Sequence, residues 1–317
     1  MTTLLNQLKR HSTVVVDTGD THAISRYAAQ DVTTNPTLIL QAVSSGRYDR
    51  LLDELIASVS DVPTATAVEQ LSERLVVALG CILLQHVPGS VSSEIDARLS
   101  FDRPASVAKA RRLVALYQAA GIPRSRVLIK LAATWEGICA ARELEREGIR
   151  CNLTLVFGIA QARACAEAGA YLISPFVGRA LDWHLQANPG ISYAPAMEPG
   201  VQQVAAIHAY LRRHGHATLV MAASFRNIGE IVALAGCDRL TISPPLMEEL
   251  ASIPGVLEPA LVAVPCQEAP PPALSEADFR WQLNEDAMAS EKLAEGIRGF
   301  ARDQCQLEWT IRHRLAR

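Results

Sequence analysis

The stretch that decides the fold reads Gly121-Ile122-Pro123-Arg124-Ser125-Arg126-Val127-Leu128-Ile129-Lys130-Leu131, and its pattern returns at Gly148-Ile149-Arg150-Cys151-Asn152-Leu153-Thr154-Leu155-Val156-Phe157. Each half has a glycine, a short turn and an apolar run of strand length. The same order recurs with Gly169 before Leu172–Val177, Gly215 before Leu219–Ala222 and Gly236 before Leu240–Ser243. Glycine suits the left-handed position just past a helix, so each glycine marks a helix-to-strand turn.

Outward from this repeat, the segments between strands carry a helical period. Val107, Ala110, Leu113, Val114 and Tyr117 share one face, as do Val201, Val204, His208 and Leu211, with arginine and glutamine opposite. Upstream, Thr13–Val16, Val32–Thr34 and Val91–Ile95 bring the candidate strands to eight. Apolar strands alternating with helices predict a parallel sheet, and eight such units predict a closed (β/α)8 TIM barrel. Beyond the last strand the chain passes Pro265 and the Pro270–Pro272 turn to Ser275-Glu276-Ala277-Asp278, which has the form of a helix N-cap. Leu293, Ile297, Phe300, Leu307 and Ile311 then give additional C-terminal helices, about residues 275–315, an apolar face to pack on the barrel. With no linker in between, residues 1–317 are expected to form a single barrel domain.

The chain of 317 residues is 49% hydrophobic and 20% charged, enough apolar material for a large core. A formal net charge of -3 and a pI near 6.3 provide no basic field for a polyanion, so nucleic acid is not an expected partner. No apolar run reaches the ~20 residues of a membrane helix and Met1–Arg10 lacks a signal-like segment, so a cytoplasmic protein with no membrane attachment is expected. The seven cysteines, at 81, 139, 151, 165, 237, 266 and 305, are scattered and read as reduced core thiols. His214 and His216 lie in a polar turn-like run, and no metal is expected.

Barrel enzymes place their chemistry at the C-terminal ends of the strands. Here those ends are polar: Asp17, then Thr33, Thr34 and Asn35, then Glu94, Lys130, Asn152 with Thr154, and Ser174. Among thirty basic residues only Lys9, Lys109, Lys130 and Lys292 are lysines. Lys130 nonetheless ends an apolar strand, where burial disfavours the charge and where arginine cannot shed its proton. A buried ion pair of Lys130 with Asp17 or Glu94 is the competing structural reading. Arg179 and Arg226 follow strands six and seven, where barrels often bind phosphate, so a phosphorylated substrate is expected.

Asp17-Thr18-Gly19-Asp20, Asp31-Val32-Thr33-Thr34-Asn35-Pro36, Ser93-Glu94-Ile95-Asp96-Ala97-Arg98 and Ile129-Lys130-Leu131-Ala132 resemble transaldolase motifs. So do Thr134-Trp135-Glu136-Gly137, Cys151-Asn152-Leu153-Thr154-Leu155, Ile173-Ser174-Pro175-Phe176-Val177-Gly178-Arg179 and Ala223-Ser224-Phe225-Arg226-Asn227, in the family's order. The resemblance extends from about Leu5 to Leu315. It implies transfer of a dihydroxyacetone unit from sedoheptulose 7-phosphate to glyceraldehyde 3-phosphate, giving erythrose 4-phosphate and fructose 6-phosphate in the non-oxidative pentose phosphate pathway. Cleaving a ketose beside its carbonyl needs an electron sink, which a lysine iminium supplies, so no cofactor is expected.

By the resemblance Lys130 is the Schiff-base nucleophile, Asp17 the proton-transfer group, and Glu94 with Thr154 the pair that handles water. Asn35 and Asn152 would hold sugar hydroxyls beside Thr33, Ser174 the terminal hydroxyl, and Arg179, Ser224 and Arg226 the phosphate. Phe176 lines the substrate site, and a homodimer is the implied assembly. Two positions depart from the pattern: Ala222 replaces a usual glycine, where its methyl is expected to crowd the phosphate loop, and Met197-Glu198 replaces an acidic pair. The alternatives are a fructose 6-phosphate aldolase using the same iminium, against which Phe176 and Glu94 count, and a non-catalytic sugar-phosphate binding protein.

Overall fold

A parallel strand with helices on its outer side leaves two unpaired sheet edges unless the sheet closes on itself. The computed structural model, which describes residues 2–59, 64–262 and 268–316, shows that closure. Among the described residues the strands run β1 (Thr13–Asp17), β2 (Asp31–Thr33), β3 (Val91–Glu94), β4 (Val127–Ala132), β5 (Cys151–Val156), β6 (Leu172–Pro175), β7 (Leu219–Ala222) and β8 (Arg239–Ile242). They pair in parallel in chain order, and β8 returns to β1 with Leu240 opposite Val14. The expected barrel is present, with strand ends within about two residues of the sequence reading. Pro265 and Cys266 lie outside the described residues.

All five turn glycines have positive φ, from 67° at Gly215 to 98° at Gly236. Gly236 is the most constrained, since a Cβ there would stand 2.1 Å from the Leu261 carbonyl oxygen. Gly236→Ala is therefore expected to destabilise the fold by about 2 kcal/mol or more, through backbone strain and steric conflict together. A chemical-denaturation midpoint unchanged from wild type would contradict this.

Side-chain alternation divides each strand between two environments. Val15, Leu128, Leu172 and Met221 meet inside the barrel as an apolar plug. Val14, Val16, Val127, Ile129, Ile173, Val220 and Ala222, of opposite parity, join the core between strands and helices. Ala222 thus turns its methyl outward into that core, and the expected crowding of the phosphate loop does not occur. Two residues beyond the plug, on the same inner face, come Asp17, Lys130 and Ser174. The plug supports a polar floor at the C-terminal end of the barrel.

The helical faces read from the sequence are buried as expected, including Val107, Ala110, Leu113, Val114 and Tyr117 on Arg103–Ala119. The C-terminal region forms two helices, Glu276–Glu285 and Ala287–Leu315. Ser275 caps the first, and Asp286 caps the second by accepting a bond from Ala289 N at 2.9 Å. The long helix buries Leu293, Ile297 and Phe300 against Leu155, Phe157 and Phe176 at the barrel mouth. Further along, its Leu307 and Ile311 pack with Ile39, Leu71 and Leu75 from the helices that connect β2 to β3. Those helices, Pro36–Ser44, Asp49–Ala57 and Thr64–Leu84, were not anticipated from the sequence.

The reading of the cysteines as core thiols needs correction. Cys151, Cys165 and Cys237 are buried, but Cys81 and Cys139 are only half-buried and Cys305 is exposed, because each of the latter lies on a helix flank rather than in a strand or under one. Among the described residues no helix is long and apolar enough to cross a membrane.

Candidate active site

Lys130 sits on the floor of the barrel mouth with 4% of its surface exposed. Its register neighbours are Glu94 on β3 and Asn152 on β5. Nζ lies 3.0 Å from Glu94 Oε2, off the axis of a good hydrogen bond, and donates a long bond of 3.4 Å to the Thr34 carbonyl. The ion pair weighed from the sequence therefore exists, with Glu94 as its partner. An ion pair in the resting state does not remove the amine from the chemistry, since it is also the contact through which a proton can leave.

Glu94 is buried beside that amine, and Asp17, half-buried at the end of β1, holds its carboxyl out of bulk solvent near the same charge. Burial raises the pKa of each carboxyl above its ordinary value, while the positive charge of Lys130 opposes the rise. Asp17 Oδ1 accepts a bond from Thr33 Oγ1 at 2.9 Å, and Thr33 Oγ1 lies 2.9 Å from Thr241 Oγ1 on β8. On the opposite side Ser174 Oγ donates to Asn152 Oδ1 at 2.7 Å, and Asn152 Nδ2 donates to Ser92 Oγ at 3.2 Å. Six strands thus contribute to two short polar chains flanking the lysine. Such chains hold hydroxyl and amide groups in fixed orientations.

Thr154 owes its position to an irregularity in β5. The β5–β6 register shifts between Leu153 and Val156, and Leu155 adopts φ 56°, a left-handed conformation unusual for leucine. Buried Gln161 satisfies the freed backbone: it accepts from Phe157 N at 2.8 Å and donates to the Leu155 and Ala133 carbonyls at 3.0 Å each. Gly296 of the long C-terminal helix makes room for the bulge, since a Cβ there would meet Leu155 Cδ2 at 2.6 Å. Thr154 Oγ1 is left buried with no protein partner among the described residues.

Asn35 plays a double part. Its Oδ1 caps Pro36–Ser44 by accepting from Leu38 N at 2.9 Å, so only its amide nitrogen is left to face a ligand.

The two loop arginines are brought together by stitching of the β6 and β7 ends. Val177 N bonds to Ala223 O at 2.9 Å and Gly178 N to Ser224 O at 3.0 Å. Gly178 is required by proximity, because a Cβ there would stand 2.4 Å from Ser224 O and 2.5 Å from Arg226 Cγ. Ser224 itself has φ 62°, and Arg226 Nη1 lies 3.3 Å from its hydroxyl. The Arg179 guanidinium lies 4.9 Å from the centre of the Phe176 ring and 5.4 Å from that of Phe300. Burial and the nearby Arg226 charge lower its pKa from the usual guanidinium value. Two cations converging at the mouth of a barrel suit a phosphate dianion.

The family model described as Transaldolase/Fructose-6-phosphate aldolase matches residues 14–311 of this chain. The chain belongs to that family. Curated relatives named Transaldolase, from Shewanella putrefaciens and Shewanella baltica, are each 55% identical over 318 residues, covering 100% of both chains. A third, from Shewanella oneidensis, is 54% identical with the same coverage.

Sequence reasoning missed several neighbours. Ser92 and Thr241 share the inward parity of Glu94 and Thr33 and were legible by counting along their strands. Asp182 and Phe300 were not. Asp182 Oδ2 binds Arg226 Nη2 at 2.5 Å from the Val177–Ala187 helix, and the Phe300 ring centre lies 5.9 Å from Lys130 Nζ from the C-terminal helix. Both contacts depend on how distant segments pack.

Proposed function

We propose that this chain is a transaldolase that moves a dihydroxyacetone unit from sedoheptulose 7-phosphate to glyceraldehyde 3-phosphate through an iminium on Lys130. The observation that carries the reading is one buried lysine amine with two desolvated carboxyls near it, Glu94 buried and Asp17 half-buried, and two arginines at the entrance. The Nζ lone pair adds to the ketose carbonyl, and the carbinolamine loses water to give the iminium. Asp17 takes the proton of the adjacent hydroxyl as the carbon–carbon bond breaks, and that electron pair moves into the iminium to form an enamine. The aldehyde product, erythrose 4-phosphate, leaves. The enamine carbon then attacks the acceptor aldehyde, Asp17 returns its proton to the new alkoxide, and water releases fructose 6-phosphate from the lysine.

Glu94 and Thr154 suit the water steps, since Glu94 touches the amine and Thr154 Oγ1 has no protein partner to compete with a water molecule. Asn35, Thr33, Asn152, Ser174 and Phe176 line the space for the sugar. Arg179, Ser224 and Arg226 take the phosphate. The same reading includes a single-domain organisation over residues 1–317, a cytoplasmic site of action and a homodimer, the last testable by sedimentation.

A coupled assay of fructose 6-phosphate formation from sedoheptulose 7-phosphate and glyceraldehyde 3-phosphate tests the activity. Release of free dihydroxyacetone from fructose 6-phosphate at a comparable rate would make the enzyme an aldolase instead. Arg226→Ala is expected to raise KM for glyceraldehyde 3-phosphate about 10- to 100-fold, the size of a lost charge-assisted hydrogen bond. An unchanged KM in a folded variant would remove Arg226 from the phosphate site.

A further inference from the structure

Behind the phosphate loop lie two carboxyls that the reaction above does not use. Glu230, on the Ile228–Ala233 helix, is fully buried, and Glu198, which precedes Pro199–Arg213, is nearly so. Glu230 Oε2 accepts a 2.6 Å hydrogen bond from the main-chain N–H of Arg226. Asn227 ties the two acids together: its Oδ1 accepts from Glu230 N at 3.0 Å, and its Nδ2 donates to Glu198 Oε1 at 3.3 Å. The other oxygens, Glu230 Oε1 and Glu198 Oε2, are buried with no donor among the described residues, and the two carboxyls are within hydrogen-bonding reach of each other.

Among the described residues, no cation's charge figures in what acts on Glu230. On the loop, the Arg226 side chain reaches toward Asp182 of the Val177–Ala187 helix rather than toward the two acids. The Pro199–Arg213 side presents Glu198 itself. Two adjoining buried acids without a cation can bind one proton between them far more easily than both can ionise. Burial, reinforced by the facing Glu198 carboxyl, pushes Glu230 up to about 7. The proton is therefore held below that pH and lost above it.

We propose that Glu230 is a positioning residue for the phosphate loop, holding the Ser224–Arg226 main chain in place only while it shares a proton with Glu198. The proposal rests on the assignment of Ser224 and Arg226 to the substrate phosphate. Ser224 needs a hold of this kind, because its left-handed φ of 62° is an unfavourable conformation for serine. Once the shared proton leaves, two facing anions repel, the Glu230 carboxylate shifts from the Arg226 N–H, and the loop relaxes. The loss falls on phosphate binding rather than on the lysine chemistry, so KM changes and kcat does not.

The test is the pH dependence of KM in wild type and in Glu230→Gln. Glutamine keeps a carbonyl for the Arg226 N–H and offers a permanent N–H to Glu198, which mimics the protonated pair. From about pH 6.5 to about 8.5, wild-type KM for glyceraldehyde 3-phosphate is expected to rise about tenfold, the equivalent of one hydrogen bond. Glu230→Gln should hold KM near the wild-type low-pH value throughout. The phosphate's own ionisation is common to both proteins and cancels in the comparison. Glyceraldehyde without phosphate should show no such trend with either protein.

A folded Glu230→Gln with the wild-type KM profile, or a wild-type KM that does not change over this range, overturns the proposal. If Glu230→Gln does not fold, Glu198→Gln makes the same substitution from the other side and decides the matter by the same profile. The phosphate-site assignment fails separately, by an unchanged KM in Arg226→Ala.

Discussion

Lys130→Arg is expected to reduce kcat/KM by at least about 10^4-fold while leaving the protein folded, because arginine keeps the charge and cannot act as a nucleophile. The ion pair with Glu94 makes this substitution informative. If pairing were the whole role of Lys130, a guanidinium would satisfy Glu94 with modest loss. If the amine attacks the ketose carbonyl, the charge is beside the point. Borohydride added to wild type with fructose 6-phosphate should reduce the iminium to a secondary amine on the peptide containing Lys130. The other lysines are engaged elsewhere: Lys9 with the Tyr27 carbonyl, Lys109 with Glu69 and Glu73, and Lys292 with Glu295. An adduct on one of them, or substantial turnover by Lys130→Arg, would refute the Schiff-base mechanism.

Asp17→Asn should lower kcat by about 10^2- to 10^4-fold, the range for loss of a positioned general base. The asparagine can still accept the Thr33 bond, so the fold and the adduct should survive. Trapping with borohydride should then capture more enzyme as adduct than in wild type, since the iminium forms and cannot proceed. Glu94→Gln should do the reverse and slow adduct formation itself. Exchanged phenotypes would exchange the two roles. The pH profile offers a second check. Burial raises the Asp17 pKa, so the base form disappears as pH falls through that raised value, and kcat should drop on the acid side. The residual activity of Asp17→Asn should lack that acid limb.

Much of this was legible from residue order. Strand length, helical period and a glycine at each helix end are local signals, set by backbone geometry within a few residues, and they specified a barrel without any knowledge of contacts. Lys130, Asp17, Glu94, Asn152 and Ser174 stood out for a related reason: a polar group at the C-terminal end of an apolar strand must be explained by what it does. Those readings required only positions along a strand.

Contacts between distant segments required the fold. Asp182 meets Arg226 because the β6 and β7 loops are stitched through Gly178, and Phe300 reaches Lys130 because a 29-residue helix crosses the barrel mouth. The bulge that sets Thr154 depends on Gln161 below it and on Gly296 above it. Glu198 stood out in the sequence only as half of a pair that departs from the family pattern, yet folding buries it against Glu230, 32 positions away in the chain. The sequence by itself determined the barrel and the inner polar ring, because periodicity acts locally. Only the tertiary structure decided which charges face one another, because burial and the proton affinities it alters arise from packing between segments far apart in the chain.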